Sequence, residues 1–176
     1  MKMKQGASVG IFSPSYIMVG EAPQAAQRAE DFLRENGFRV IHGKLWGRQN
    51  AYRTGTPQER ADEFNSLLRD PAVDLLMASV GGFVTNGMLP YIDYEFFAAN
   101  PKPVVGMSDV TALLLALYAK TGIPTYYGTN FVTRETLIKS GAQDAQSDFS
   151  SDCMKTTPLG WRMFASRLRA KPSGGI

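Results

Sequence analysis

The chain reads as an α/β domain built on a doubly wound, mostly parallel sheet, and three observations predict it. Strand-length apolar runs alternate with segments of helical apolar spacing from Ala7 to about Val132, the order that a parallel sheet with crossover helices requires. The stretch from Val73 to Ser79 has the apolar run of a strand covered on both faces. Gly37 and Gly122 stand just past two of the helical segments, where a left-handed residue ends a helix.

Taken in order, Ala7 to Phe12 forms the first strand, with Ser13-Pro14-Ser15 as the loop at its carboxyl end. Ala25, Ala29, Phe32 and Leu33 recur at helical spacing within Ala22 to Asn36. Phe38 to Ile41 makes a second strand. The polar stretch from Gly43 to Gly55 carries Trp46 and Tyr52 and is long enough for an active-site or interface loop. Thr56 caps the next helix, with Pro57 at its first position and Glu59 at its third. That helix runs to about Arg69 with Phe64, Leu67 and Leu68 as its buried stripe.

Asp70-Pro71 ends it, and the third strand stops abruptly at Gly81-Gly82. A helix around Asn86 to Tyr91, a turn at Asp93 and a short helix near Tyr94 to Ala99 lead to the central strand Val104-Val105. The helix from Asp109 to Thr121 and a last short strand, Pro124 to Tyr127, complete the pattern. Beyond Thr133 the residues are polar without steady period. The expected organisation is therefore a domain over 1–133 and a linker or loosely held tail over 134–176.

The chain has 176 residues, 44% hydrophobic and 20% charged, which excludes global disorder and suits one domain with a real core. No apolar run approaches the ~20 residues needed to cross a bilayer; the longest, Val110 to Tyr118, reads as a core helix. The net charge of +3 is weak and scattered, much of it in the last quarter, so neither nucleic acid nor a membrane is the expected partner. One cysteine, Cys153, forms no internal disulfide and offers no metal cluster, which places the protein in a reducing cytoplasm.

Ligands of open parallel sheets bind outside the carboxyl ends of the strands. Three loops lie there: Ser13-Pro14-Ser15, Gly81-Gly82-Phe83 and Gly106-Met107-Ser108-Asp109. Ser108 sits where a buried strand turns sharply into a helix, the corner that exposes a serine hydroxyl beside free helix N–H groups. It reads either as a nucleophile or, with Asp109, as an ordinary helix cap. Gly81-Gly82 reads either as a source of oxyanion-binding N–H groups or as a tight turn.

Val110 stands where the hydrolase elbow Gly-x-Ser-x-Gly has its last glycine, which argues against an ordinary α/β-hydrolase. No Gly-x-Gly-x-x-Gly follows the first strand and no Gly-Lys-Ser/Thr occurs, so a phosphate-binding loop is not expected. No cofactor is expected. Asp93, Glu95 and Asp109 lack a histidine among them, so no metal site is expected either; Asp93 reads as a cap. His42, the single histidine, ends the second strand and is either a satisfied strand-end residue or a base.

Taken together, Gly-Met-Ser-Asp-Val-Thr-Ala-Leu at 106–113, Ser-Val-Gly-Gly at 79–82, Leu-Pro-Tyr-Ile-Asp-Tyr at 89–94 and Tyr-Ala-Lys-Thr-Gly-Ile-Pro-Thr-Tyr-Tyr-Gly at 118–128 closely resemble the LD-carboxypeptidase family of serine peptidases, nearest its microcin C self-immunity branch. The Ser-Pro-Ser loop and Gly-Thr-Pro-Gln-Glu-Arg-Ala-Asp-Glu at 55–63 fit as well. The resemblance covers about residues 6 to 132. It implies a flavodoxin-like or class I amidotransferase-like domain with Ser108 as nucleophile and the N–H of Asp109, with that of Gly82 or Phe83, as oxyanion hole. Ser13, Ser15, Gly81 and Asn86 would line the substrate.

The substrates implied are small amides near a free carboxylate, either a peptide with an L,D bond or an aminoacyl-nucleotide, cleaved through an acyl-enzyme without a metal. The family resemblance further implies a homodimer and a second domain that supplies a glutamate and a histidine. Met107 replaces a usual aromatic residue, and Phe83-Val84-Thr85-Asn86 replaces a more polar run, which bears on substrate choice. No histidine follows Thr133, so the chain is expected to be a nucleophile-bearing half, from truncation, a frameshifted or split gene, or an excised domain, inactive by itself. The alternative is a non-catalytic relic or interaction module that pairs with another chain.

Overall fold

The computed structural model describes residues 6–132, and over them it contains five parallel strands in the order β2-β1-β3-β4-β5. The strands are β1 (Ser8–Phe12), β2 (Arg39–His42), β3 (Leu75–Ala78), β4 (Val104–Gly106) and β5 (Tyr126–Tyr127). Each falls within a residue or two of the apolar run that predicts it. The expected tail at 134–176 lies outside the described residues.

The helices are α1 (Met18–Glu21), α2 (Pro23–Glu35), α3 (Pro57–Arg69), α4 (Tyr94–Ala99) and α5 (Thr111–Thr121), with 3-10 turns at Thr85–Tyr91 and Ser108–Val110. The short α1 has no side-chain cap, and the sequence carries no sign of it. Thr56 and Glu59 do form the expected capping box of α3, the Thr56 side chain accepting from the Glu59 N–H and the Glu59 side chain from the Thr56 N–H. Asp93 caps α4, its Oδ1 accepting from the Phe96 N–H at 2.8 Å.

Side chains alternate across the sheet with period two. Phe12, Leu76, Ala78 and Val104 pack with Phe64, Leu68, Phe97, Leu113 and Leu117 from α3, α4 and α5. Val9, Ile11, Leu75, Met77 and Val105 pack on the other face with Ala25, Ala29 and Leu33 of α2 and with Phe131. Helices cover both faces, as a doubly wound sheet requires.

The chain crosses from β1 to β2 on one side and then returns past β1 to β3 on the other, so the switch point lies between β1 and β3. The loop after β1 and the loop after β3 flank that crevice, joined by the Tyr16 N–H donating to the Gly81 carbonyl at 3.2 Å. The loop after β4 is the next one over.

Candidate active site

Ser108 occupies the turn from β4 into the 3-10 segment with φ +61°, a left-handed conformation that costs an L-residue about 1–2 kcal/mol. Its side chain is exposed. Met107, not Ser108, holds the cap position, and it makes no side-chain cap bond. The turn thus has the strained corner of a nucleophile elbow, while the simple helix-cap reading of Ser108 finds no support in its position.

Val110 explains how the corner closes without the elbow's last glycine. A β-carbon at Gly106 would meet Val110 Cγ1 at 2.6 Å, so the glycine on the strand side leaves the room that the valine fills. The Met107 N–H donates to Asn130 Oδ1 at 2.9 Å, fixing the residue before the serine from a segment that folds back across the sheet.

The loop after β3 lies directly against this corner. A β-carbon at Gly81 would stand 3.1 Å from Ser108 Cβ and 3.4 Å from the Asp109 nitrogen. Gly82 has φ +152°, and a β-carbon there would collide with the Ser15 side chain. Gly82 is therefore required by its close approach to Ser15, and Gly81 lies against the serine.

Three side chains fix the irregular segment that follows. Ser15 Oγ accepts from the Phe83 N–H at 3.0 Å and the Val84 N–H at 3.1 Å. Asp109 Oδ2 accepts from the N–H groups of Val84 (3.0 Å) and Thr85 (2.9 Å) and from Thr85 Oγ1 (2.7 Å). Arg60 Nη1 donates to the Val84 carbonyl at 2.8 Å and to the Pro14 carbonyl. Its Nε donates to the carbonyls of Gly55 and Thr56 at 3.2 and 3.3 Å.

Arg60 is 1% exposed, and burial lowers the pKa of its guanidinium, with the Arg53 charge adding to the effect and the Asp109 carboxylate opposing it. One turn along α3, Glu63 is as deeply buried. Its two oxygens accept from the N–H groups of Ser13 and Leu45, each at 2.6 Å. Burial raises its pKa to about 7 despite those hydrogen bonds, which act in the opposite sense. Arg60 and Glu63 thus tie α3 to the loops after β1, β2 and β3.

Among the other residues singled out by the sequence, Ser13 and Ser15 are both buried. The Ser13 carbonyl accepts from Thr54 Oγ1 at 2.8 Å. Asn86 is exposed at the start of a 3-10 turn, and Phe83 is 84% exposed beside Gly82. The structure brings Gly81, Gly82, Ser108 and Asp109 together, with Ser15 behind them.

His42 stands apart. Its Nε2 lies 3.0 Å from Glu30 Oε2, and its ring stacks on Trp46 at 3.8 Å. Strand β2 is three positions from β4 in the sheet, roughly 14 Å at the usual strand spacing. His42 is a partnered strand-end residue.

The comparisons with known proteins agree with this fold. A family model described as the LD-carboxypeptidase N-terminal domain matches residues 9–128. A putative carboxypeptidase of Vibrio cholerae is 47% identical over 127 residues, 72% of this chain and 38% of that protein. The microcin C7 self-immunity protein MccF of Escherichia coli is 44% identical over 123 residues, 70% of this chain and 36% of that protein. A solved structure of MccF in complex with aspartyl sulfamoyl adenosine superimposes with a TM-score of 0.83 and 34% identity, covering 98% of this chain and 47% of that one. The chain thus spans less than half the length of each of these relatives.

Proposed function

The chain belongs to the LD-carboxypeptidase family, and on that premise we propose that it carries the nucleophile of a serine carboxypeptidase-type amide hydrolase. Ser108 Oγ attacks the carbonyl carbon of the scissile amide, the amine leaves with a proton, and the acyl group stays on Ser108 until water releases it. The N–H groups of Asp109 and Gly82 receive the negative charge that develops on the carbonyl oxygen, each worth ~3 kcal/mol of barrier. Gly82 is preferred to Phe83 for this part because the Phe83 N–H already donates to Ser15.

The observation that carries the reading is the strained, exposed Ser108 against the bare backbone of Gly81-Gly82. The substrate class is a small peptide or an aminoacyl-nucleotide; related MccF structures hold glutamyl sulfamoyl guanosine and aspartyl sulfamoyl adenosine. His42, on the far strand β2, is engaged with Glu30 of α2, which leaves it out of the part of proton acceptor to Ser108. A reducing cytoplasm fits the single cysteine.

The test is hydrolysis of a murein tetrapeptide and of aspartyl sulfamoyl adenosine. The 176-residue chain is expected to show negligible turnover, whereas residues 1–132 fused to the remaining portion of MccF turn over, and Ser108→Ala in that fusion does not. Turnover by the fusion that survives Ser108→Ala overturns the proposal.

A second reading, a non-catalytic module that pairs with another chain, is favoured by the 62% and 55% exposure of Leu115 and Tyr118 on α5. Sedimentation at rising concentration separates the two. Self-association with no ligand binding favours the module, and ligand binding by a monomer disfavours it.

A further inference from the structure

We propose that Arg53 recognises the free carboxylate of the substrate, an assignment that rests on the carboxypeptidase-type reading and gives it a specificity residue. Arg53 lies on the 43–55 loop next to Thr54, which fastens that loop to the carboxyl end of β1. Thr54 Oγ1 donates to the Ser13 carbonyl at 2.8 Å and the Thr54 N–H to the Ser15 carbonyl at 3.1 Å. Ser15 in turn holds Phe83 and Val84, so Arg53 is anchored to the segment that directly follows Gly81-Gly82.

Among the described residues, the Arg53 Nε is buried without a hydrogen-bond partner. A buried donor without an acceptor is rare and calls for an explanation, and a ligand is one. Arg48, on the same loop, pairs instead with Glu59 at 2.8 Å. Arg53 places its guanidinium 5.5 Å from the Tyr52 ring centroid, a contact that restricts the fork without neutralising it.

Charge points the same way. Arg53 lies near enough to Arg60 for repulsion between the two to register on Arg60, and the opposing carboxylate there is Asp109. The Asp109 Oδ2 already accepts three hydrogen bonds from Val84 and Thr85. Glu63, the other carboxylate at the carboxyl end of β1, is committed to the N–H groups of Ser13 and Leu45 and is held toward its neutral form by burial, so an anionic group completes the balance there.

A planar guanidinium matches a carboxylate through parallel N–H donors. An enzyme that acts beside a chain terminus must tell a carboxylate from an ordinary amide. Ser13, Ser15, Gly81 and Asn86 carry no charge with which to do so.

The experiment is an NMR titration of the 176-residue chain with N-acetyl-L-lysyl-D-alanine and with its C-terminal amide, following the Arg53 Nε–H and the N–H groups of Gly81 and Asp109. With the acid, all three are expected to shift along one saturating curve. The amide should bind at least tenfold more weakly and leave the Arg53 Nε–H in place. Arg53→Gln should erase the preference for the acid and Arg53→Lys should keep part of it.

If Gly81 and Asp109 respond equally to both ligands while Arg53 stays still, the Arg53 assignment falls and the site stands. If neither ligand moves Gly81 or Asp109, the site reading falls and Arg53 with it. Should Arg53→Gln disturb the β1 and β3 signals, the acid-to-amide comparison on the unsubstituted chain decides alone.

Discussion

The carboxylate of Asp109 reaches Thr85 twice, at 2.9 Å from its N–H and 2.7 Å from its hydroxyl. That contact joins the loop after β3 to the corner that presents Ser108. Asp109→Ala removes a charged acceptor of three donors, and hydrogen bonds to charged groups are worth about 1.5–3 kcal/mol. The expected result is a loss of about 2 kcal/mol in urea unfolding. Amide exchange at Thr85 should become fast while Leu76 and Val105 stay protected in the core strands.

Arg60 grips the carbonyls of Pro14, Gly55, Thr56 and Val84 from inside the domain. Arg60→Met leaves buried carbonyls without donors and is expected to lower stability by about 3 kcal/mol. Arg60→Lys, which lacks the planar fork, should recover less than half of that. A urea series on the three proteins measures both differences.

Ser108 holds φ +61°, so Ser108→Gly relieves the backbone and should raise stability by about 1 kcal/mol, whereas Ser108→Ala should leave it unchanged. Equal stability of the glycine and alanine variants would show that the corner is not strained.

Glu63 sets the sign of a pH effect. Its folded-state pKa of about 7 stands above the value of 4.5 for an unperturbed glutamate. Between those values the folded state binds the extra proton, so this group's contribution to stability is greatest below pH 4.5 and is lost as pH rises through 7. The loss is of order 3 kcal/mol. Glu63→Gln should flatten the wild-type decline between pH 5 and 8, read as the difference between the two urea midpoints at each pH.

Much of the fold is legible because it rests on local patterns: strand-length apolar runs, Thr56 with Glu59, Asp93, and glycines at helix ends. The corner at Gly106 and Ser108 is legible for the same reason. Arg60 and Glu63 are harder to find, because a charged residue inside a domain is decided by distant carbonyls and amides. A signal does exist. The stripe Phe64, Leu67 and Leu68, continued one turn back, falls on Arg60, and Glu63 lies four residues before Leu67 on the same face. Two charges on a buried stripe mark a structural or functional demand.

The Asp109 carboxylate is obscured by its own backbone, since the sequence explains the residue through its N–H before its side chain is considered. Asn130 gives no local sign, as its contact with Met107 depends on how the chain returns across the sheet.

The central claim is that Ser108 carries the acyl group. Mass spectrometry of the acid-quenched fusion with MccF, after incubation with a slow peptide substrate, tests it most directly. The account predicts an acyl mass on the peptide containing Ser108 and none after Ser108→Ala. An acyl mass on another peptide, or rapid turnover by the Ser108→Ala fusion, would contradict it.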